Sequence, residues 1–416
     1  MAVIRPFKAL RPRPSLAHKV AALPYDVMSS AEARQMVKGN PYSFLHVDRA
    51  EIDLDPAIDL YDQKVYDKAR ENLEQMIEKE ILIQDEEPCL YIYRQVMDGR
   101  EQTGLVACVS IDDYLNNVIR KHELTRADKE LDRTRHVDVC DANTGPIFLT
   151  YRSVDDINKI VEKWTRQEPI YDILTDDGIS HIVWIIDDNA VIKHLEELFR
   201  EVEYLYIADG HHRSASAVKV GLMRREAHPE YTGEEEFNFF LSVIFPDRDL
   251  YIMDYNRVVR DLNALTPELF LEALQNSFHL RMVEEPGPFR PRQQHHFGMY
   301  LQGQWYELIA REGIFDANDP VERLDVSILQ DHLLGPILGI DDPRTDERID
   351  FIGGIRGLSA LEKRVDEGTD AVAFVLYPTT VQDLMDIADA GKIMPPKSTW
   401  FEPKLRSGLF IHKLSE

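Results

Sequence analysis

The sequence predicts a mixed α/β (α+β) fold, with a mixed-sheet core and a second, C-terminal α/β lobe. Three observations lead there. Two β-rich segments, 90–93 and 105–109, flank the pair Asp98-Gly99, which signals an antiparallel hairpin and argues against a purely parallel sheet. The apolar run 204–207 passes through Asp209–Arg213 into 214–223, where small and apolar residues alternate as in a helix. At 416 residues the chain exceeds what one hydrophobic core usually organises, so two domains or one domain with a large accessory lobe is expected.

After an extended opening, Ser29 with Glu32 three residues later is a capping-box signal, predicting a helix over 31–38. Tyr61, Val65, Ala69, Leu73, Met76 and Ile77 recur at helical spacing and predict an amphipathic helix over 58–80 with a core-facing stripe. The hairpin follows, then a charged loop over 121–141 and a buried strand over 146–151. Beyond the 214–223 helix, the polar stretch 224–236 carries Pro229 and Gly233 and marks a boundary. The expected division is thus a catalytic part at 1–225 and a lobe at 226–416. That lobe is expected to hold strands at 239–245, 251–253 and 371–376 and helices near 266–277 and 325–338. It closes with a proline-bracketed loop over 394–404 and a strand at 408–411.

Composition excludes several classes. With 74 acidic against 48 basic residues the net charge is −26, which repels a polyphosphate backbone, and no strong basic patch offsets it. Nucleic acid is not an expected partner. Only three cysteines occur, Cys89, Cys108 and Cys140, in no ligand spacing, as suits a reducing compartment. No apolar run has the length of a signal peptide or a membrane span, so a cytoplasmic protein without membrane contact is expected. The phosphate-loop, dinucleotide and serine-hydrolase fingerprints are all missing.

The turn Asp209-Gly210-His211-His212-Arg213 joins a strand to a helix, where unpaired backbone N–H groups and the helix dipole favour an anion. Arg213 adds a cation there and Gly210 permits close approach, so the turn reads as a phosphate cradle. The plainer reading is a helix capped by Asp209 with surface histidines. His122-Glu123, followed by Asp132-Arg133, sets a carboxylate beside an imidazole for proton transfer, though a solvated charged loop explains it equally. His122, Glu123, Asp209, His211 and His212 would also suit a metal-dependent hydrolase, but their spacing is not that of a closed zinc site. Lys397 and Lys404 lie in the proline-bracketed loop and bring cations to an anionic substrate, or else hold a rigid surface connection.

Taken together, PYDV (24–27), the HE and DR pairs (122–133), ANTGPIF (142–148), IADGHHR (207–213) and MPPKSTWFEPK (394–404) make the chain resemble a bacterial and archaeal family known as a domain of unknown function, DUF1015. The landmarks run in order along nearly the whole chain. The resemblance implies a nucleotide-binding part similar to ParB and sulfiredoxin, and a kinase that phosphorylates free L-serine with ATP and Mg2+. It implies Glu123 as catalytic carboxylate, and Asp209, His211, His212 and Arg213 as the phosphate-binding and catalytic turn. Residues 124–131 depart from the lysine- and proline-containing stretch expected there, which bears on the acceptor more than on phosphoryl transfer.

On this reading Glu123 orients the serine hydroxyl and takes its proton, and Arg213 holds the transferring phosphate. His211 and His212 donate to phosphate, Asp209 holds Mg2+ or the substrate ammonium, and His122, Gly210, Arg133, Lys397 and Lys404 complete the substrate contacts. A homodimer is left open as the assembly. A non-catalytic nucleotide sensor and a metal-dependent hydrolase are the alternatives.

Overall fold

The computed structural model describes residues 1–285 and 287–415. By compactness the chain forms two units, Met1–Leu250 with Pro403–Glu416, and Tyr251–Glu402. Residues 226–250, expected in the second lobe, fall in the first unit, and so does the end of the chain. The reason is the strand Phe239–Pro246, every residue of which is buried within the first unit's sheet.

The first unit's sheet has nine strands: β1 (Ile4–Arg5), β2 (Leu90–Met97), β3 (Arg100–Ser110), β4 (Ile119–Arg120), β5 (Ile147–Tyr151), β6 (Tyr171–Leu174), β7 (Ser180–Ile186), β8 (Leu205–Asp209) and β9 (Phe239–Pro246). Their spatial order is β4-β8-β5-β9-β3-β2-β7-β6, with β1 against β3. The sheet is mixed: β8 runs parallel to β4 and β9 parallel to β5, while the other neighbours are antiparallel. The expected hairpin is β2–β3. Asp98 and Gly99 take φ of 52° and 77°, the doubly left-handed turn whose twist matches the strands it joins.

The longer helices of this unit are α1 (Ser30–Met36), α2 (Gln63–Glu78), α3 (Ala127–Cys140), α4 (Asp155–Trp164), α5 (Asn189–Arg200) and α6 (His211–Ala227). Glu32 returns the bond it receives from Ser29 at the start of α1, so the capping box forms. In α2 the buried face is Val65, Tyr66, Ala69, Leu73 and Met76, while Ile77 turns outward. The charged loop expected at 121–141 is, from Ala127, the helix α3. Its inward face carries Asp132, Thr134 and His136 beside Val137 and Cys140, so no apolar period announced it.

The expected strand at 408–411 does not form. Ser407 and Ile411 make single bridges to Ala22 and Leu10, and His412–Lys413 then pairs with Ala142–Asn143. No helix among the described residues is long and apolar enough to cross a membrane.

The second unit carries a six-stranded sheet of β10 (Tyr255–Val259), β11 (Phe278–Met282), β12 (His296–Leu301), β13 (Gln304–Ala310), β14 (Ile349–Gly353) and β15 (Val372–Leu376). It is antiparallel throughout, in the order β11-β13-β12-β15-β10-β14. The helix expected near 325–338 is regular only over Asp325–Leu329 and widens into a π turn at Gln330–Leu334.

Candidate active site

Strand β8 ends at Asp209 after a register shift against β5 between Ile207 and Asp209. A bulge of this kind bends the strand and re-aims the residues after it. Gly210 then takes φ +96°, a conformation a side chain rarely adopts, and caps α6, which begins at His211. His211, His212 and Arg213 form the helix's first turn and point in successive directions. Each therefore meets a different neighbour.

Asp209 is occupied from three sides. Its Oδ1 accepts the Gly210 N–H at 2.9 Å, and its Oδ2 lies 3.4 Å from Lys404 Nζ and 3.7 Å from Arg213 Nη2. Burial alone would raise its pKa, but Lys404 and then Arg213 outweigh it and hold the carboxyl far below the usual range. One ammonium and one guanidinium thus already face this carboxylate.

His122 and His211 sit edge to face, ring centroids 4.5 Å apart. The His122 N–H donates to His211 Nε2 at 3.5 Å, and His211 Nδ1 lies 3.8 Å from Glu123 Oε2. His122 is buried, which pushes its pKa down to about 4 against a smaller opposing pull from Asp209. Burial, reinforced by His122, keeps His211 well below the usual range as well. Both imidazoles are therefore neutral near pH 7, beside a carboxylate whose side chain is 44% exposed. His212 turns away from this group, and its Nε2 accepts the Arg126 N–H at 3.0 Å.

Arg213 reaches into a pocket lined by Tyr25, Asp48, Arg133, Thr144 and Gly145, among others. Its Nη1 donates to the Pro146 carbonyl at 2.5 Å, while its buried Nε has no hydrogen-bond partner among the described residues. Arg133, on α3, pairs with Asp132 at 2.9 Å and stacks on the Tyr25 ring at 4.1 Å. Thr144 donates to Asp48 at 2.7 Å. A β-carbon at Gly145 would stand 3.1 Å from Ser407 Oγ and 3.9 Å from Arg213 Nη1, so glycine keeps this wall of the pocket open. Two guanidiniums in one pocket, one with an unsatisfied donor, can bind a phosphate bidentately.

The fold thus gathers His122, Glu123, Arg133, Asp209, Gly210, His211, His212, Arg213 and Lys404 in the first unit. Lys397 belongs to the second unit, where its carbonyl accepts from Arg257 and its ammonium lies 5.8 Å from the Tyr255 ring. Tyr25, Thr144 and Gly145 belong to PYDV and ANTGPIF, motifs whose sequence alone assigns them no chemical part. Asp48 and Ser407, which also line the pocket, carried no signal at all.

Several solved structures resemble the chain at low sequence identity. Free serine kinase in complex with AMP aligns at 12% identity and TM-score 0.37, covering 73% of this chain and 91% of that one. SbnI with a C-terminal truncation, from Staphylococcus aureus, aligns at 10% identity and TM-score 0.39, covering 74% and 86%. A conserved hypothetical protein from Pyrococcus furiosus aligns at 12% identity and TM-score 0.36, covering 73% and 94%. None of the curated proteins matches the sequence. The model of one family does match, over residues 4–327, and by that match the chain belongs to the family described as protein of unknown function, DUF1015.

Proposed function

We propose that the protein transfers the γ-phosphoryl group of ATP to the hydroxyl of a small metabolite, free L-serine, giving O-phosphoserine and ADP. The observation that carries this reading is the meeting of a half-exposed carboxylate, Glu123, with the start of α6, whose Arg213 shares a pocket with Arg133. Phosphoryl transfer asks a protein for positioning and charge neutralisation more than for covalent chemistry, and this arrangement offers both.

In the proposed reaction the serine oxygen attacks the γ-phosphorus as the bond to the bridging oxygen breaks. ADP leaves with that electron pair, and the hydroxyl proton passes to Glu123. Arg213 and Arg133 hold phosphate oxygens, and the neutral imidazole of His211 lies 3.8 Å from Glu123. Asp209 serves by fixing Lys404 and Arg213 in place. Mg2+, when bound, would neutralise charge on the nucleotide phosphates. The choice of serine follows the motif resemblance.

The test is ADP release from ATP and Mg2+ across a panel of amino acids, with the phosphorylated product read by phosphorus NMR. Serine-dependent ADP with matching O-phosphoserine supports the proposal. Phosphate release that ignores the amino acid would make the protein a hydrolase, and nucleotide binding without turnover would make it a sensor.

A further inference from the structure

We propose that His122, Glu123 and His211 form an open three-ligand site for a borderline divalent cation of the Zn2+ or Mn2+ class, separate from any magnesium carried by a nucleotide. Each of the three offers one ligand atom, and these atoms all lie within 4.8 Å of one another. Bonds of about 2.0–2.1 Å to a tetrahedral zinc place neighbouring ligand atoms ~3.4 Å apart. The Glu123 Oε2 to His211 Nδ1 separation is already 3.8 Å, and an ion on Nδ1 leaves the ring proton on Nε2, so the weak 3.5 Å contact from the His122 N–H opens on binding. Glu123 is the exposed member of the three, so its carboxylate is the one that an ion reaches from solvent.

The two histidines are held before any ion arrives. Their rings cross at 85° with centroids 4.5 Å apart, and both are buried. His122 Nδ1 is buried without a hydrogen-bond partner among the described residues, an unusual state for a polar atom that a neighbouring group does not use. Ligand chemistry sets the class of ion. Two imidazoles with one carboxylate suit Zn2+, Mn2+ and their first-row neighbours, whereas Mg2+ and Ca2+ require oxygen shells. Asp209 stands apart, because Lys404 and Arg213 already neutralise it. With only three protein ligands the site keeps a coordination position open, so the ion exchanges and a chelator strips it.

A consequence follows that rests on the phosphotransferase reading: an ion on Glu123 occupies the oxygen that would take the hydroxyl proton. Zn2+ and the acceptor proton then compete for one carboxylate, and the ion acts as a reversible inhibitor.

The binding test uses the whole chain after chelator treatment and without nucleotide. ZnCl2 is followed by calorimetry and CoCl2 by its visible absorption. We expect one equivalent of each, with the cobalt spectrum of a low-coordinate nitrogen and oxygen site. Affinity should fall at least tenfold in His122→Ala and in Glu123→Gln. If His122→Ala loses its far-ultraviolet circular dichroism, Glu123→Gln decides, since that side chain is exposed. Failure of the wild type to bind saturably, or binding that neither substitution weakens, overturns the site. A separate arm measures zinc inhibition of serine-dependent ADP release and its relief by chelator. The first arm contains no ATP, so failure of the phosphotransferase reading leaves its result standing, and a metal-free wild type leaves that reading untouched.

Discussion

Replacing Glu123 by Gln separates chemistry from architecture with unusual clarity. The side chain is 44% exposed, and its ring-nitrogen neighbour, His211 Nδ1, is 3.8 Å away, beyond hydrogen-bond length. Gln keeps the shape, so the change in folding free energy should stay within about 0.5 kcal/mol, a shift of ~1–2 °C in a thermal midpoint. Loss of a general base, by contrast, costs ~10²- to 10⁴-fold in rate, which is about 3 to 5 kcal/mol of barrier. The assay is steady-state ADP release at saturating serine and ATP in chelator-treated buffer with added MgCl2, beside calorimetric ATP affinity. We expect turnover to fall by that factor while ATP affinity holds, because in the proposed reaction the carboxylate contacts the acceptor and not the nucleotide. A variant that keeps more than about a tenth of wild-type turnover, a loss under ~1.4 kcal/mol, would show that Glu123 positions and does not take the proton.

Arg213→Ala should weaken ATP binding by ~10- to 100-fold, the worth of charge-assisted bonds to phosphate. It should also lower the ligand-free thermal midpoint, since Asp209 loses a cation and the Pro146 carbonyl a donor; unchanged ATP affinity would remove Arg213 from the nucleotide. His122 titrates near 4 in the fold against about 6.5 unfolded, so the unfolded chain binds the proton more readily. Its contribution, roughly 3 kcal/mol, is complete above pH 6.5 and is lost as the pH falls toward 4. Denaturant midpoints at pH 7 and 5 should therefore differ less in His122→Gln than in the wild type, and equal differences would refute the assignment. Gly221→Ala should destabilise by ~1–3 kcal/mol despite alanine's better helix propensity, because its β-carbon would lie 2.6 Å from the Phe237 carbonyl and 2.7 Å from Ile111. A gain in stability would show that this helix contact relaxes freely.

What the sequence disclosed depended on whether a signal was local. Ser29 with Glu32 and Asp98 with Gly99 encode their structures in neighbouring residues, and both the capping box and the hairpin form. The strand-to-helix turn at 209–213 was legible for the same reason. Helix α3 was not, because Asp132, Thr134 and His136 are buried on hydrogen bonds to Tyr66, Glu130 and Val47. A polar buried face carries no apolar period. The boundary at 225 failed on a similar ground, since Pro229 and Gly233 break a local helix but say nothing about the sheet position of Phe239–Pro246. Of the site, Lys404 on Asp209 and Arg133 beside Arg213 are long-range meetings, and only the fold displays them.

The return of Pro403–Glu416 to the first unit bears on the order in which the surroundings of Asp209 assemble. Asp209 emerges from the ribosome long before Lys404, its partner at 3.4 Å, because the whole of Tyr251–Glu402 is synthesised between Leu250 and Pro403. At ~5–20 residues per second those roughly 150 residues take on the order of ten to thirty seconds. During that interval Arg213 alone balances the Asp209 carboxylate, and Leu10 and Ala142 lack the strand partners that Ile411 and Lys413 later supply. Residues 403–415 therefore act as a latch: the nascent first unit can collapse early, but the surroundings of Asp209 are completed only when that stretch docks.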